Sequence, residues 1–218
     1  ELHSQTGAVE RATFQSHLLG TFQQHNLAAA AAALVGLGFR LEKIAALSKD
    51  IPNIPGRLEH AKEPAAAPHP TVLVDYAHKP DALEKTLLTV RSITPPNGKL
   101  ISVFGCGGDR DAIKRPIMGE ISARIADFTY ITSDNPRTED PFRIVADVMK
   151  GIPANATAKA IVDRREAIFE AISHASNNDI VVIAGKGHED YQIVGSQKFP
   201  FSDFDVARQA LLSRQKNL

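Results

Sequence analysis

The sequence predicts an α/β fold built on a mostly parallel sheet with helices on both faces, and three observations carry that expectation. Five short apolar runs, at 71–74, 100–104, 128–132, 158–162 and 180–184, alternate with amphipathic stretches at 81–93, 115–125, 141–149 and 164–175. The runs are apolar almost without interruption, as strands covered on both faces are; a half-solvated strand would alternate. Each run is followed by a polar or glycine-rich segment, and ligands of open α/β sheets bind beyond the carboxyl ends of the strands.

The elements follow in chain order. Residues 1–21 mix short polar and apolar runs, compatible with strands whose partners the sequence does not identify. His25-Asn26-Leu27 leads into the alanine run 28–33, and Ala is the best helix former. Gly36 and Gly38 would close that helix. A close-packed helix is the expectation here, with a low-complexity linker as the alternative. A second short helix fits 41–47, where Leu41, Ile44, Ala45 and Leu47 are apolar. Pro52, Pro55 and Gly56 break helicity, and 63–70 is rich in Pro and Ala, which marks a domain boundary in this region. Beyond the five alternating apolar runs, 191–201 with Gly195-Ser196 at its centre reads as a hairpin. Ser202 or Asp203 is placed to cap a last helix.

Composition narrows the function classes. The 218 residues carry 25 Lys+Arg against 25 Asp+Glu, so nothing draws the chain in general to nucleic acid or to an anionic membrane. At 43% hydrophobic and 23% charged residues, a packed core is expected rather than disorder. The single cysteine, Cys106, excludes an internal disulfide and a Cys-rich zinc site. No apolar window reaches the ~18 residues of a membrane span, and no signal peptide is evident, so a cytoplasmic location is expected. The chain begins with Glu rather than Met, which raises the expectation of a piece cut from a longer polypeptide.

The segments after the strands hold the chemistry. They read Asp75-Tyr76-Ala77-His78-Lys79-Pro80, Gly105-Cys106-Gly107-Gly108-Asp109-Arg110-Asp111, Ser133-Asp134-Asn135-Pro136-Arg137, Asp163-Arg164-Arg165-Glu166 and Gly185-Lys186-Gly187-His188-Glu189-Asp190. The dinucleotide fingerprint needs a third glycine where Arg110 stands. Neither Gly98-Lys99 nor Gly185-Lys186 satisfies the Walker phosphate-loop pattern. Arg110, Asn135 and Arg137 supply forked or paired donors suited to a carboxylate, and Glu189 supplies an acceptor suited to an ammonium. Together they complement an amino-acid zwitterion. The alternative is that Arg110–Asp111 and Arg137–Asp134 form local ion pairs at loop tips. Asp75 and His78 lie on one side of a strand end with no third ligand at zinc spacing, so no metal site is expected, and loop hydrogen bonding is the simpler role for His25, His78 and His188. Cys106 reads as a packing cysteine in a tight turn, with a nucleophile as the alternative.

At these loops the chain resembles the Mur ligases, in particular the branch that adds meso-diaminopimelate. Six strings carry the resemblance in family order: Gly56-Arg57-Leu58-Glu59, the stretch from Val74-Asp75-Tyr76-Ala77-His78 to Leu83, the stretch from Phe104 to Asp111, Lys114-Arg115-Pro116, Asp134-Asn135-Pro136-Arg137, and Ala184-Gly185-Lys186-Gly187-His188-Glu189-Asp190. Lys79 stands where the family usually has Thr. The resemblance implies residues 1–55 as the C-terminal helical tail of a central ATP-binding domain, and 56–218 as a Rossmann-like domain that brings in the amino acid.

It further implies an ATP-dependent amide-forming ligase of peptidoglycan precursor synthesis. ATP phosphorylates the D-glutamate γ-carboxylate of a UDP-N-acetylmuramoyl dipeptide, and the diaminopimelate amine attacks the acyl phosphate. Asp134, Asn135, Arg137, Arg110, Gly185 and Glu189 match diaminopimelate-binding positions, with Asn135 and Arg137 at the distal end. Asn26, Arg57, Asp75 and His78 match positions on the ATP side. The phosphate loop, the Mg2+ ligands and the contacts to the UDP-sugar belong to family sequence not found in this chain, no catalytic residue is assigned, and a monomer is expected. Two other readings stay open: a non-catalytic amino-acid-binding module, and a relative that adds lysine or glutamate, for which Arg137 is the wrong residue.

Overall fold

The computed structural model describes residues 2–3, 9–62 and 68–215. The expectations for 1, 4–8 and 63–67 lie outside the described residues. The chain divides into two compact units, residues 1–53 and 54–218.

In the first unit, β1 (Leu2–His3) pairs antiparallel with β2 (Val9–Glu10), which supplies the partners that residues 1–21 lacked in the sequence. Helix α1 (Thr21–Gly36) contains the alanine run. It ends in a Schellman arrangement: Gly38, at φ 91°, donates its N–H to Val35, and Phe39 donates to Leu34. The expectation of close packing is corrected here, because among the alanines of the run only Ala31 is buried. Alanine favours helix through its low side-chain entropy cost, with no need of burial. Helix α2 (Leu41–Leu47) and a 3₁₀ turn (Ser48–Asp50) complete the unit, where buried Ser48 bonds Gln15 and Ala45.

The second unit is the expected α/β sheet. A short strand β3 (Glu59–His60) precedes β4 (Thr71–Asp75), α3 (Pro80–Ile93), β5 (Leu100–Cys106), α4 (Lys114–Ile125), β6 (Phe128–Ser133), α5 (Pro141–Met149), β7 (Ala158–Ala160), α6 (Arg164–His174) and β8 (Ile180–Ala184). Then come the hairpin strands β9 (Tyr191–Val194) and β10 (Gln197–Pro200), and α7 (Asp203–Gln215). The sheet order is β3-β4-β8-β5-β6-β7; β3 is antiparallel and the other pairings are parallel. The edge strand β3 was not expected, since two residues are too few to leave a periodic signature.

The pleat explains the unbroken apolar runs. Val72 and Val74 of β4, Ile101 and Val103 of β5, and Val181 and Ile183 of β8 form one core with Ala167, Ile168, Ala171 and Ile172 of α6 and Val206, Ala207, Ala210 and Leu211 of α7. Successive strand residues alternate faces, so Leu73, Leu100, Phe104 and Val182 project oppositely. On that side α3, α4 and α5 bury Leu83, Leu87, Val90, Met118, Ile144 and Val148. Both faces are thus sealed, and the polar segments can emerge only at the strand ends. Ser202 caps α7, accepting from Asp205 N–H at 3.2 Å; Asp203, the other expected cap, has a different task described below.

Candidate functional site

The carboxyl ends of β4, β8, β5 and β6 open into a cavity of about 730 Å³. Its walls include Tyr76, His78, Gly107, Arg110, Lys114, Asp134, Asn135, Arg137, Gly185, Glu189 and Tyr191. All six residues expected to bind diaminopimelate therefore meet in one cavity. Pro80 and Asp81 at the start of α3, with Ile113 and Lys114 at the start of α4, line it as well, so two helix N-termini add a positive bias.

The basic wall comes from the loops after β5 and β6, which are zipped together. Asp109 accepts from Thr138 N–H at 3.2 Å and from its hydroxyl at 2.7 Å, and Glu139 accepts from Asp109 N–H at 2.6 Å. Buried Arg115 donates to both Glu139 oxygens at 2.8 Å and to Asp147 at 3.1 Å. A Cβ on Gly108 would fall 1.9 Å from the Pro136 carbonyl, so only glycine allows the loops this close. Arg137 sits at φ 52°, a left-handed conformation costing a non-glycine residue on the order of 1 kcal/mol or more. Hairpin strand β9 holds it there: Arg137 N–H donates to Ile193, and Gly195 N–H donates to the Arg137 carbonyl. Its Nη1 donates to the Gly108 carbonyl at 2.8 Å, while Nε and Nη2 have no hydrogen bond among the described residues. Arg110 is exposed at the cavity and makes no hydrogen bond or ion pair among the described residues. The ion-pair alternative for these loops is not what forms: Asp111 accepts from Ile113 N–H, and Asp134 faces a different cation.

The acidic wall is organised by Lys186, whose side chain is fully buried. Its ammonium donates to Asn135 Oδ1 at 3.1 Å, Asp134 Oδ1 at 3.3 Å and Glu189 Oε2 at 3.4 Å. Asn135 Oδ1 also accepts from Ile193 N–H at 2.8 Å, which fixes the amide so that Nδ2 donates to Glu189 Oε2 at 3.1 Å. Gly185, at φ 125°, donates its N–H to the Asp75 carbonyl at 3.0 Å. Beneath this wall lies Arg164, fully buried, with a bidentate pair to Asp203 at 2.7 Å on each arm and further bonds to the Ser133 and Ala184 carbonyls. Neither cation stood out in the sequence. The partners of Lys186 include residues 51 and 52 positions away, and Asp203 is 39 positions from Arg164. A lysine set directly after the buried run of β8 was the available signal.

The residues expected on the ATP side are differently placed. Asn26 is exposed on α1 in the first unit, bonded to Gln23 at 3.4 Å. Arg57 lies over the Tyr76 ring, 5.2 Å from its centroid, and His78 Nδ1 lies 2.8 Å from the Tyr76 carbonyl at the cavity wall. Asp75 is buried, accepting from Leu58 N–H, Ala77 N–H and the Thr86 hydroxyl at 2.9–3.0 Å. Burial pushes its carboxyl above the ordinary value, against those hydrogen bonds and Arg57. Cys106 is buried against Met118 Sδ at 3.7 Å, and burial pushes its thiol up to about 12, which suits packing and not nucleophilic chemistry.

Residues 56–187 match the family model for the Mur ligase glutamate ligase domain. A UDP-N-acetylmuramoyl-L-alanyl-D-glutamate–2,6-diaminopimelate ligase of Synechococcus elongatus is 51% identical over 93% of the chain and 40% of its own length. One of the same name from Haemophilus ducreyi is 46% identical over 91% of the chain and 39% of its own length. A solved structure of a ligase with that name superposes with a TM-score of 0.70 at 40% identity, over 97% of this chain and 42% of the other. The UDP-N-acetylmuramate-alanine ligase of Thermotoga maritima, at 18% identity, covers 94% of this chain and 40% of its own with a TM-score of 0.67, a likeness of fold. The chain spans about two fifths of the length of the relatives it matches.

Proposed function

Since the chain belongs to the Mur ligase family, as the match over 56–187 and relatives about half identical establish, we propose that it is the amino-acid-binding portion of a ligase that adds meso-diaminopimelate to UDP-N-acetylmuramoyl-L-alanyl-D-glutamate. In this reading residues 1–55 are the end of the ATP-binding domain and 56–218 form the domain that presents the amino acid.

The single observation that carries the reading is the division of one cavity into two walls. Arg137 and Arg110 offer unengaged guanidinium donors on one side, and Glu189 and Asp134 offer carboxylate oxygens on the other. A diamino diacid has matching groups of both signs. Diaminopimelate differs from lysine by a distal carboxylate, and an Arg–carboxylate pair is a strong, directional contact. A site built for that carboxylate discriminates against lysine, which would leave the guanidinium unsatisfied.

The reaction in this reading proceeds through an acyl phosphate made from ATP and the D-glutamate γ-carboxylate. The diaminopimelate nitrogen then bonds to the carbonyl carbon, the carbon–oxygen bond to phosphate breaks, and the nitrogen loses a proton. This chain's residues bind and orient the amino acid; alignment of two reactants can remove about 7–11 kcal/mol of barrier when near ideal. Asn26, Arg57, Asp75 and His78 are assigned to the ATP side. Among the described residues there is no group of three or more His, Cys, Asp or Glu able to hold a metal ion; the Mg2+ ligands are assigned to other parts of the enzyme. No described helix is long and apolar enough to cross a membrane; a cytoplasmic monomer is part of the proposal.

The test uses the complete ligase. Arg137→Ala should raise the KM for diaminopimelate about a hundredfold while the KM for the UDP-linked dipeptide stays unchanged. Equal effects on both substrates would contradict the assignment.

A further inference from the structure

We infer that Lys186 is a positioning residue that sets amino-acid specificity by fixing the net charge of the acidic wall. The inference rests on the function proposed above and deepens it. An ammonium has three N–H donors, and all three are used: Asn135 Oδ1, Asp134 Oδ1 and Glu189 Oε2 lie at 3.1–3.4 Å. Lys186 is fully buried with none left for a ligand, so it acts through its neighbours.

It acts in two ways. Geometrically, it takes one oxygen from each carboxylate, leaving Glu189 Oε1 and Asp134 Oδ2 without a hydrogen bond among the described residues. Electrostatically, it cancels one of two adjacent negative charges, so the trio Asp134, Glu189 and Lys186 presents a net charge of about one negative unit. Diaminopimelate is neutral overall, with two ammonium and two carboxylate groups; lysine carries one net positive charge. A wall left with two negative units would shift relative affinity toward lysine, opposing the discrimination that Arg137 contributes. At an effective dielectric of about 20, one unit charge acting across several ångströms changes relative affinity by about tenfold or more.

The experiment measures the ratio of kcat/KM for meso-diaminopimelate to that for lysine in the complete ligase. That ratio is independent of the fraction of folded enzyme, so a loss of folded protein alone leaves it unchanged, and the charge order across the series separates the electrostatic effect from a local displacement. Four proteins form a charge series: Lys186→Met, more negative than wild type; wild type; the double variant Lys186→Met with Asp134→Asn, equal to wild type; and Asp134→Asn, less negative. The ratio should move about tenfold toward lysine in Lys186→Met, move toward diaminopimelate in Asp134→Asn, and return to within about threefold of wild type in the double variant. If Lys186→Met does not fold, the step from Asp134→Asn to the double variant reads the same charge. A ratio that does not follow this order overturns the inference. A wild-type enzyme with no preference for diaminopimelate overturns the functional reading instead.

Discussion

Two pairs of arginines stand in the segments that follow the strands, one pair in loops and one in the first turns of helices, and they behave in opposite ways. Arg115 and Arg164 are buried and paired inside the protein: the first clamps Glu139 and Asp147 through its two terminal nitrogens, the second takes Asp203 in a bidentate pair and two strand-end carbonyls as well. Arg110 and Arg137 face the cavity with guanidinium groups wholly or partly unengaged. Cavity-facing guanidinium donors that the protein leaves unmet are available to a ligand. The buried pair fastens the elements around the cavity while the open pair faces into it, and substitutions should separate the two roles.

The largest effect is expected at Arg164. Replacing it with Ala leaves Asp203 buried and uncompensated, which should cost about 3–5 kcal/mol of stability by urea denaturation. A loss below 1 kcal/mol would show that the pair is not what fastens α7 to the sheet. Arg137→Ala sharpens the contrast from the other side, because its role is toward ligand: stability should change by no more than about 1 kcal/mol while diaminopimelate use collapses. A large stability loss there would erase the distinction.

A smaller effect concerns the zipped loops. The Arg115 hydrogen bond holds the Glu139 carboxyl below its ordinary value. A carboxyl lowered in the folded state contributes stability that is present above its unfolded value of 4.5 and lost as pH falls through the folded one. Glu139→Gln should therefore reduce stability at neutral pH by no more than about 1 kcal/mol, since Glu139 is partly exposed. It should also flatten the dependence of the denaturation midpoint on pH in the acid range; an unchanged slope would assign the acid sensitivity elsewhere. The smallest effect is at Cys106, whose thiol, pushed up to about 12, should resist alkylation by iodoacetamide near pH 8 in the folded protein. Rapid modification would contradict its burial.

The open pair was legible in the sequence and the roles of the buried cations Arg164 and Lys186 were not, for a physical reason. Arg110 and Arg137 stand in polar loops after apolar runs, where chain position alone predicts a ligand-facing edge. Strands β4, β5, β6 and β8 were equally legible because each is five to seven residues long and almost wholly buried, whereas β7 shortens to Ala158–Ala160. Arg164 and Lys186 depend on partners far along the chain, and Asp203 looked like a helix cap until its counter-ion was known. The packing of α1 was misjudged because alanine forms helix whether covered or not.

The central claim is that the cavity's basic wall receives the distal carboxylate of a diamino diacid and its acidic wall the ammonium beside it. A crystal structure with meso-diaminopimelate bound tests this most directly. The distal carboxylate should lie within hydrogen-bond distance of Arg137 Nε or Nη2, with the neighbouring ammonium on Glu189 Oε1. A ligand seated elsewhere, or bound with no contact to Arg137, would contradict it.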